Sequence, residues 1–68
     1  MEEFIIDTYL GELKLIFCFD IDSNRQFYEV YDVKSNEFLG EIPNLYDVED
    51  EDNKDNIINL IETYIYPF

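Results

Sequence analysis

Residues 12–21, Glu12-Leu13-Lys14-Leu15-Ile16-Phe17-Cys18-Phe19-Asp20-Ile21, decide the fold. Leu13, Leu15, Phe17 and Phe19 alternate with Glu12, Lys14, Ile16, Cys18 and Asp20, and a period of two means a strand with one buried face. The preceding stretch, residues 3–9, is β-branched and aromatic and reads as a first strand, with Gly11 marking the turn between them. On the other side, Asp22-Ser23-Asn24-Arg25 has the composition of a turn and residues 26–33 read as a third strand. A two- or four-residue loop sets Phe19 opposite Tyr28 and Phe17 opposite Val30, whereas a one-residue slip would carry Glu29 into the core, so the even loop is expected. The same register sets Asp22 beside Arg25. Lys34-Ser35-Asn36 is the next turn, with Asn36 as its left-handed residue. Residues 37–42 form a shorter fourth strand that Pro43 ends.

Residues 44–52 read as a loop of rising acidity. A helix follows near 52–65, because Ile57, Ile58, Ile61 and Ile65 recur at helical spacing. Asp50 or Asp52 is the expected N-cap, the acidic first turn suits the positive helix end, and Pro67 is the expected stop. Alone such a helix is marginal, so its Ile stripe must lie on the sheet. The expected fold is α+β: one domain over residues 1–68, a four-stranded antiparallel meander sheet packed by one C-terminal helix, β-β-β-β-α.

On this foldable pattern sit 17 Asp and Glu against four Lys and Arg, a formal charge of −13, in a chain that is 47% hydrophobic and 18% aromatic. A domain this small buries only about 60% of its unfolded surface, and carboxylate repulsion opposes its compaction. Stability is therefore expected to rise with added salt or mildly lowered pH, and a melting temperature that falls steadily with NaCl would contradict this. Solubility needs a net charge of only about 2–8 in a small domain, so the excess points to recognition of something basic.

Several chemistries fall away. The chain has no His, so a Ser or Cys nucleophile lacks its commonest base, and the carboxylates are too many to single out an acid–base pair. No enzymatic activity and no cofactor are expected. One Cys and no His disfavour zinc. Asp20-Ile21-Asp22-Ser23-Asn24 begins like a calcium loop, but Arg25 and Tyr31 stand where Gly and Glu are needed. Loose divalent binding at Glu49–Asp55 stays open. Cys18, in an apolar run, reads as a buried inert thiol and fits a reducing cytoplasm. The acidic start Met1-Glu2-Glu3 lacks a signal peptide's basic residues, and no apolar run approaches a membrane span. Direct binding to nucleic acid or anionic membrane is disfavoured by charge. Codon-biased composition, without Ala or Trp and rich in Ile, Asn, Phe and Tyr, points to an A/T-rich genome such as a low-GC bacterium or its phage.

What remains is the acidic display. Asp47, Glu49, Asp50, Glu51, Asp52 and Asp55 crowd the loop and first helical turn, and Asp20, Asp22, Glu29 and Asp32 lie on the central hairpin. Residues i and i+2 of a strand are roughly 6.6–6.8 Å apart, about the through-space separation of successive phosphates on one DNA strand, so a carboxylate row can stand in for a phosphate backbone. Tyr9, Tyr31, Tyr46, Tyr64 and Tyr66 cannot all fit in so small a core, so one or two of them, Tyr46 among the candidates, are expected to anchor a partner. In size, acidity and β-rich pattern, carried by Asp47–Asp55 and the hairpin carboxylates, the chain resembles the small phage-encoded inhibitors that mimic DNA, many anti-CRISPR proteins among them. That resemblance implies a cytoplasmic, non-enzymatic inhibitor in a phage-infected or prophage-bearing cell. Its partner would be a basic nucleic-acid-binding protein of the bacterial host, a CRISPR effector above all, and it would act as a monomer or weak homodimer. The alternatives are an antitoxin or immunity module capping a basic toxin, and an assembly module that pairs through a β-edge.

Overall fold

The computed structural model describes residues 2–66, and the helix stop expected at Pro67 lies outside them. Four strands, β1 (Glu3–Thr8), β2 (Gly11–Asp20), β3 (Arg25–Asp32) and β4 (Phe38–Pro43), form one antiparallel sheet in sequence order. A 3₁₀ turn at Glu51–Asn53 leads into a helix, α1 (Lys54–Tyr64). This is the expected β-β-β-β-α arrangement.

Each connection is built by its own side chains. Thr8 Oγ1 accepts from Leu10 N at 3.1 Å and donates to the Gly11 carbonyl at 2.8 Å, closing a two-residue turn that Gly11 enters at φ +106°. Between β2 and β3, Asp20 Oδ1 accepts from Asp22 N at 3.1 Å and Asn24 takes φ +55°. Asp32 Oδ1 accepts from Lys34 N in the third turn, and Asn36 is left-handed at φ +57°, as its place in the turn predicts. These short polar side chains mimic a backbone turn and tolerate the left-handed region.

The β2–β3 register departs from expectation by two residues. Phe17 faces Tyr28, Leu15 faces Val30, and Asp20 rather than Asp22 faces Arg25. The loop has four residues, Ile21–Asn24, and the Phe19–Tyr28 pairing belongs to the two-residue loop alone, so the longer loop moves every pair by two. A two-residue shift preserves which face each side chain occupies, so the inner face is as read. The shift does move Phe19 to the sheet end opposite Gln26, where it is 47% exposed instead of joining the core.

The core lies between the sheet and α1. Leu13, Leu15, Tyr28, Val30 and Ile42 of the sheet bury against Ile57 and Ile61 of the helix. Phe4 and Phe17 meet the Tyr28 ring edge-on, with centroids 6.3 and 5.6 Å away. A bulge in β4 sets Gly40 opposite Val30 and Phe38 opposite Tyr31, so Leu39 is skipped in the ladder and turns to the core. Gly40 has φ +153°, and a Cβ there would lie 2.9 Å from Ile65 Cγ1. Gly40→Ala is therefore expected to destabilise the fold by about 1–3 kcal/mol, from backbone strain and overpacking together. Chemical denaturation checks this, and an unchanged midpoint would contradict it.

Among the described residues only one sheet face is covered. On the other, the register aligns Glu3, Ile16, Glu29 and Glu41 in one rung, flanked by Ile5, Lys14, Tyr31 and Phe38 and by Cys18, Phe27 and Pro43. Cys18 thus lies half-buried on the open face, not in the core. Its alternation with Phe17 and Phe19 already placed it there.

Candidate functional site

The acidic loop is held by two of its own carboxylates. Asp47 Oδ1 accepts from Glu49 N, and Asp50 Oδ1 accepts from Asp52 N, each at 3.0 Å. The Asp47 carbonyl also accepts from Asn53 Nδ2 at 3.1 Å. Asp50 is therefore the N-cap of the 3₁₀ turn. That turn intervenes before the helix, so the N-cap of α1 is Asn53, without a side-chain capping bond, and neither Asp50 nor Asp52 caps the helix as expected. Asp47 and Asp50 shape the segment, while Glu49, Glu51, Asp52 and Asp55 are exposed, with no side-chain hydrogen bond among the described residues. Tyr46 is 37% exposed at the start of the loop. Val48 and Ile57 turn inward to the core and anchor the loop to the sheet.

This anchoring brings the loop alongside β1. A groove of about 750 Å³ runs between them, lined on one side by Glu3–Asp7 and on the other by Val48, Glu49, Asp50, Glu51, Lys54 and Ile57. Its floor is apolar, from Phe4, Ile6, Val48 and Ile57, and its rims are acidic, with Lys54 the single cation. Glu3 and Asp7 lie outside the acidic clusters visible in the sequence. The signal existed: a meander leaves its first strand at the sheet edge. That the loop returns past that edge depends on the helix docking angle, which no local pattern encodes.

The hairpin carboxylates do not gather into one surface. Asp20 and Asp22 sit at the β2–β3 turn, Glu29 lies mid-sheet on the open face, and Asp32 ends β3 on the helix side by its pairing with Leu13. The two ends of this strand are separated by about 24 Å at 3.4 Å per residue. No strand carries carboxylates at i and i+2, so the phosphate-like row along a strand is absent. Close acid pairs arise across strands instead, Glu29 opposite Glu41 and Asp7 opposite Glu12. Directly opposed like charges destabilise a sheet. Arg25 relieves Glu41 at 3.1 Å, the one ion pair among the described residues, and Tyr31 Oη donates to Glu29 at 3.3 Å.

No protein-family model, curated protein or solved structure matches the chain.

The open face also handles cations through its rings. The Arg25 guanidinium lies 4.5 Å from the Phe27 centroid, and Lys14 Nζ lies 5.3 Å from that of Tyr31. Among the described residues no group of three or more His, Cys, Asp or Glu is placed to hold a metal ion, and no helix is long and apolar enough to cross a membrane.

Four weak acids of the fold, Tyr9, Cys18, Tyr28 and Tyr31, titrate late. Burial and the Glu29 charge raise the Cys18 thiol from its ordinary 9.0. Burial, with Glu2, Asp47 and Glu49, raises Tyr28 from 10.0, and Tyr31 moves the same way beside Glu29. Tyr9 is raised chiefly by donating to Glu62 Oε2 at 2.9 Å, a bond that ties the first turn to α1. Groups that ionise later when folded favour the native state below their unfolded pKa and lose that contribution as pH rises above it. Stability is therefore expected to decline from about pH 9 upward, with Tyr28→Phe flattening the decline above about pH 10. Melting temperatures across pH 8–11 check this, and a flat profile would contradict it.

Proposed function

We propose that this protein is a non-enzymatic inhibitor. It presents carboxylates in place of nucleic-acid phosphates and occupies the basic nucleic-acid-binding groove of a bacterial protein. The target class implied by its resemblance to phage-encoded DNA mimics is a CRISPR effector, met in the cytoplasm of an infected or prophage-bearing cell. The observation that carries this reading is that the charge is displayed rather than used. Seventeen carboxylates occur in the sequence, none of the described ones is buried, and one is ion-paired.

Glu49, Glu51, Asp52 and Asp55 form the main contact, on a loop whose shape Asp47 and Asp50 fix in advance. Preorganised charge loses little conformational freedom on binding. It also steers fast association with a cationic groove, an effect that weakens as salt screens it. Glu3 and Asp7 extend the surface across the groove, and Tyr46 flanks it. Asp20 and Asp22 lie on a separate corner and contact a partner only if it wraps the sheet end.

Tagged protein incubated with bacterial lysate at low salt, then eluted with a salt gradient, tests the reading. Nucleic-acid-binding proteins are expected in the retained fraction, released as salt rises. Retention only of proteins without a basic groove would overturn it.

A further inference from the structure

We infer that β1 is a docking edge: an extended cationic segment of the partner adds to the sheet as a fifth strand, lying in the groove beside Val48–Lys54. The inference rests on the reading that the partner is basic and adds a requirement for backbone pairing.

The backbone pattern identifies the open groups. Phe17 N donates to the Glu2 carbonyl at 3.1 Å. Hydrogen-bonded pairs recur at every second residue of an antiparallel ladder. Phe4, Ile6 and Thr8 therefore carry the β1–β2 bonds, and the N–H and C=O groups of Glu3, Ile5 and Asp7 point away from the sheet. They form a straight six-residue edge with no Pro and no bulge. The opposite edge differs. Asn44 N donates to the Gln26 carbonyl, so by the same alternation Glu41 and Pro43 point outward from β4. Pro43 offers no N–H, and the bulge at Leu39 breaks the line. Sheets commonly blunt exposed edges with Pro, bulges or charge. Here β4 has the first two, and β1 has charge alone.

That charge selects the occupant. A second copy is disfavoured, because antiparallel pairing of two β1 edges about Ile5 would set Glu3 opposite Asp7 between chains that each carry −13. A cationic strand meets the opposite situation. Every second side chain of an added strand falls on the open face beside Glu3 and Asp7, where Lys or Arg is complementary. The intervening ones fall over the groove floor of Ile6, Val48 and Ile57, where apolar side chains fit. The segment recognised thus alternates basic and apolar residues, with main-chain bonds giving affinity and side chains giving selectivity.

The test uses the full chain and a capped Lys-Val-Lys-Val-Lys-Val-Lys peptide, titrated at low salt and followed by calorimetry. The peptide is compared with two forms N-methylated on every second residue, one in each phase, all of equal charge. The phase whose methyl groups face β1 is expected to bind at least about tenfold more weakly, and the other phase to match the parent. Ile5→Pro, which removes an outward N–H from an edge position that tolerates Pro, is expected to weaken the parent peptide equally while leaving polylysine binding unchanged. If both methylated forms bind as the parent does, strand addition is wrong and recognition by charge stands. If neither the parent peptide nor polylysine binds, recognition of a basic partner fails as well. A concentration-dependent dimer by size-exclusion chromatography that Ile5→Pro abolishes would assign the edge to a second copy and overturn the inference. Should Ile5→Pro unfold, the methylated peptides decide.

Discussion

Ile61→Ala is expected to remove most of the stability of this fold. Ile61 is fully buried in the cluster that α1 shares with Leu13, Leu15, Val30 and Ile42 of the sheet. Truncating a buried Ile to Ala costs about 2–5 kcal/mol, the spread reflecting how far the site can collapse. A single core in a domain of this size supplies only about 3–5 kcal/mol, and seventeen carboxylates already oppose compaction. The variant is expected to lose its cooperative transition at low salt and to recover part of it when salt screens the repulsion. Asn59→Ala, exposed on the same helix, is expected to shift stability by no more than about 0.5 kcal/mol. Denaturant unfolding at two salt concentrations measures both. Cooperative unfolding of Ile61→Ala with a near-native midpoint would mean that α1 does not hold the sheet.

Reversing Glu51 and Asp52 together to Lys is expected to weaken binding to the basic partner by roughly tenfold to a hundredfold at low salt, with the fold intact. Each exposed pair contributes up to about 1 kcal/mol, and reversal replaces attraction with repulsion at two positions. The choice of positions matters. Asp50 Oδ1 accepts from Asp52 N, so reversing Asp50 would mix lost charge with a lost cap of about 1 kcal/mol. Glu51 and Asp52 carry no such side-chain duty. Asp50→Asn keeps the cap and isolates one charge. Equal affinity for wild type and the Glu51→Lys/Asp52→Lys variant would remove the acidic loop from the site.

The fold was legible because its signals are local. The alternation through Leu13, Leu15, Phe17 and Phe19 fixed the inner face, and the Ile57–Ile61 spacing fixed the buried helix stripe. Asp20 and Asn24 determine a four-residue loop in place of a two-residue one, and both loops keep the same faces, so face was readable where register was not. The site was half legible. The crowding of Asp47–Asp55 is visible in one line of sequence, but the division of labour within it is not. Asp47 and Asp50 differ from Glu51 and Asp52 only in which backbone N–H lies within reach. The groove required knowing that the loop passes β1. The Glu29–Glu41 rung required the β3–β4 register, including the bulge at Leu39.

Competition with nucleic acid shows whether the carboxylates fill the partner's nucleic-acid groove. With the partner isolated from the lysate, the apparent Kd of this protein for it is measured at increasing concentrations of duplex DNA or of the partner's own guide RNA. Mutual exclusion is expected, with apparent Kd rising in proportion to nucleic acid once the latter is saturating. A stable ternary complex of protein, partner and nucleic acid, with Kd unchanged, would show that the carboxylates occupy some other surface and would rule out phosphate mimicry in that groove.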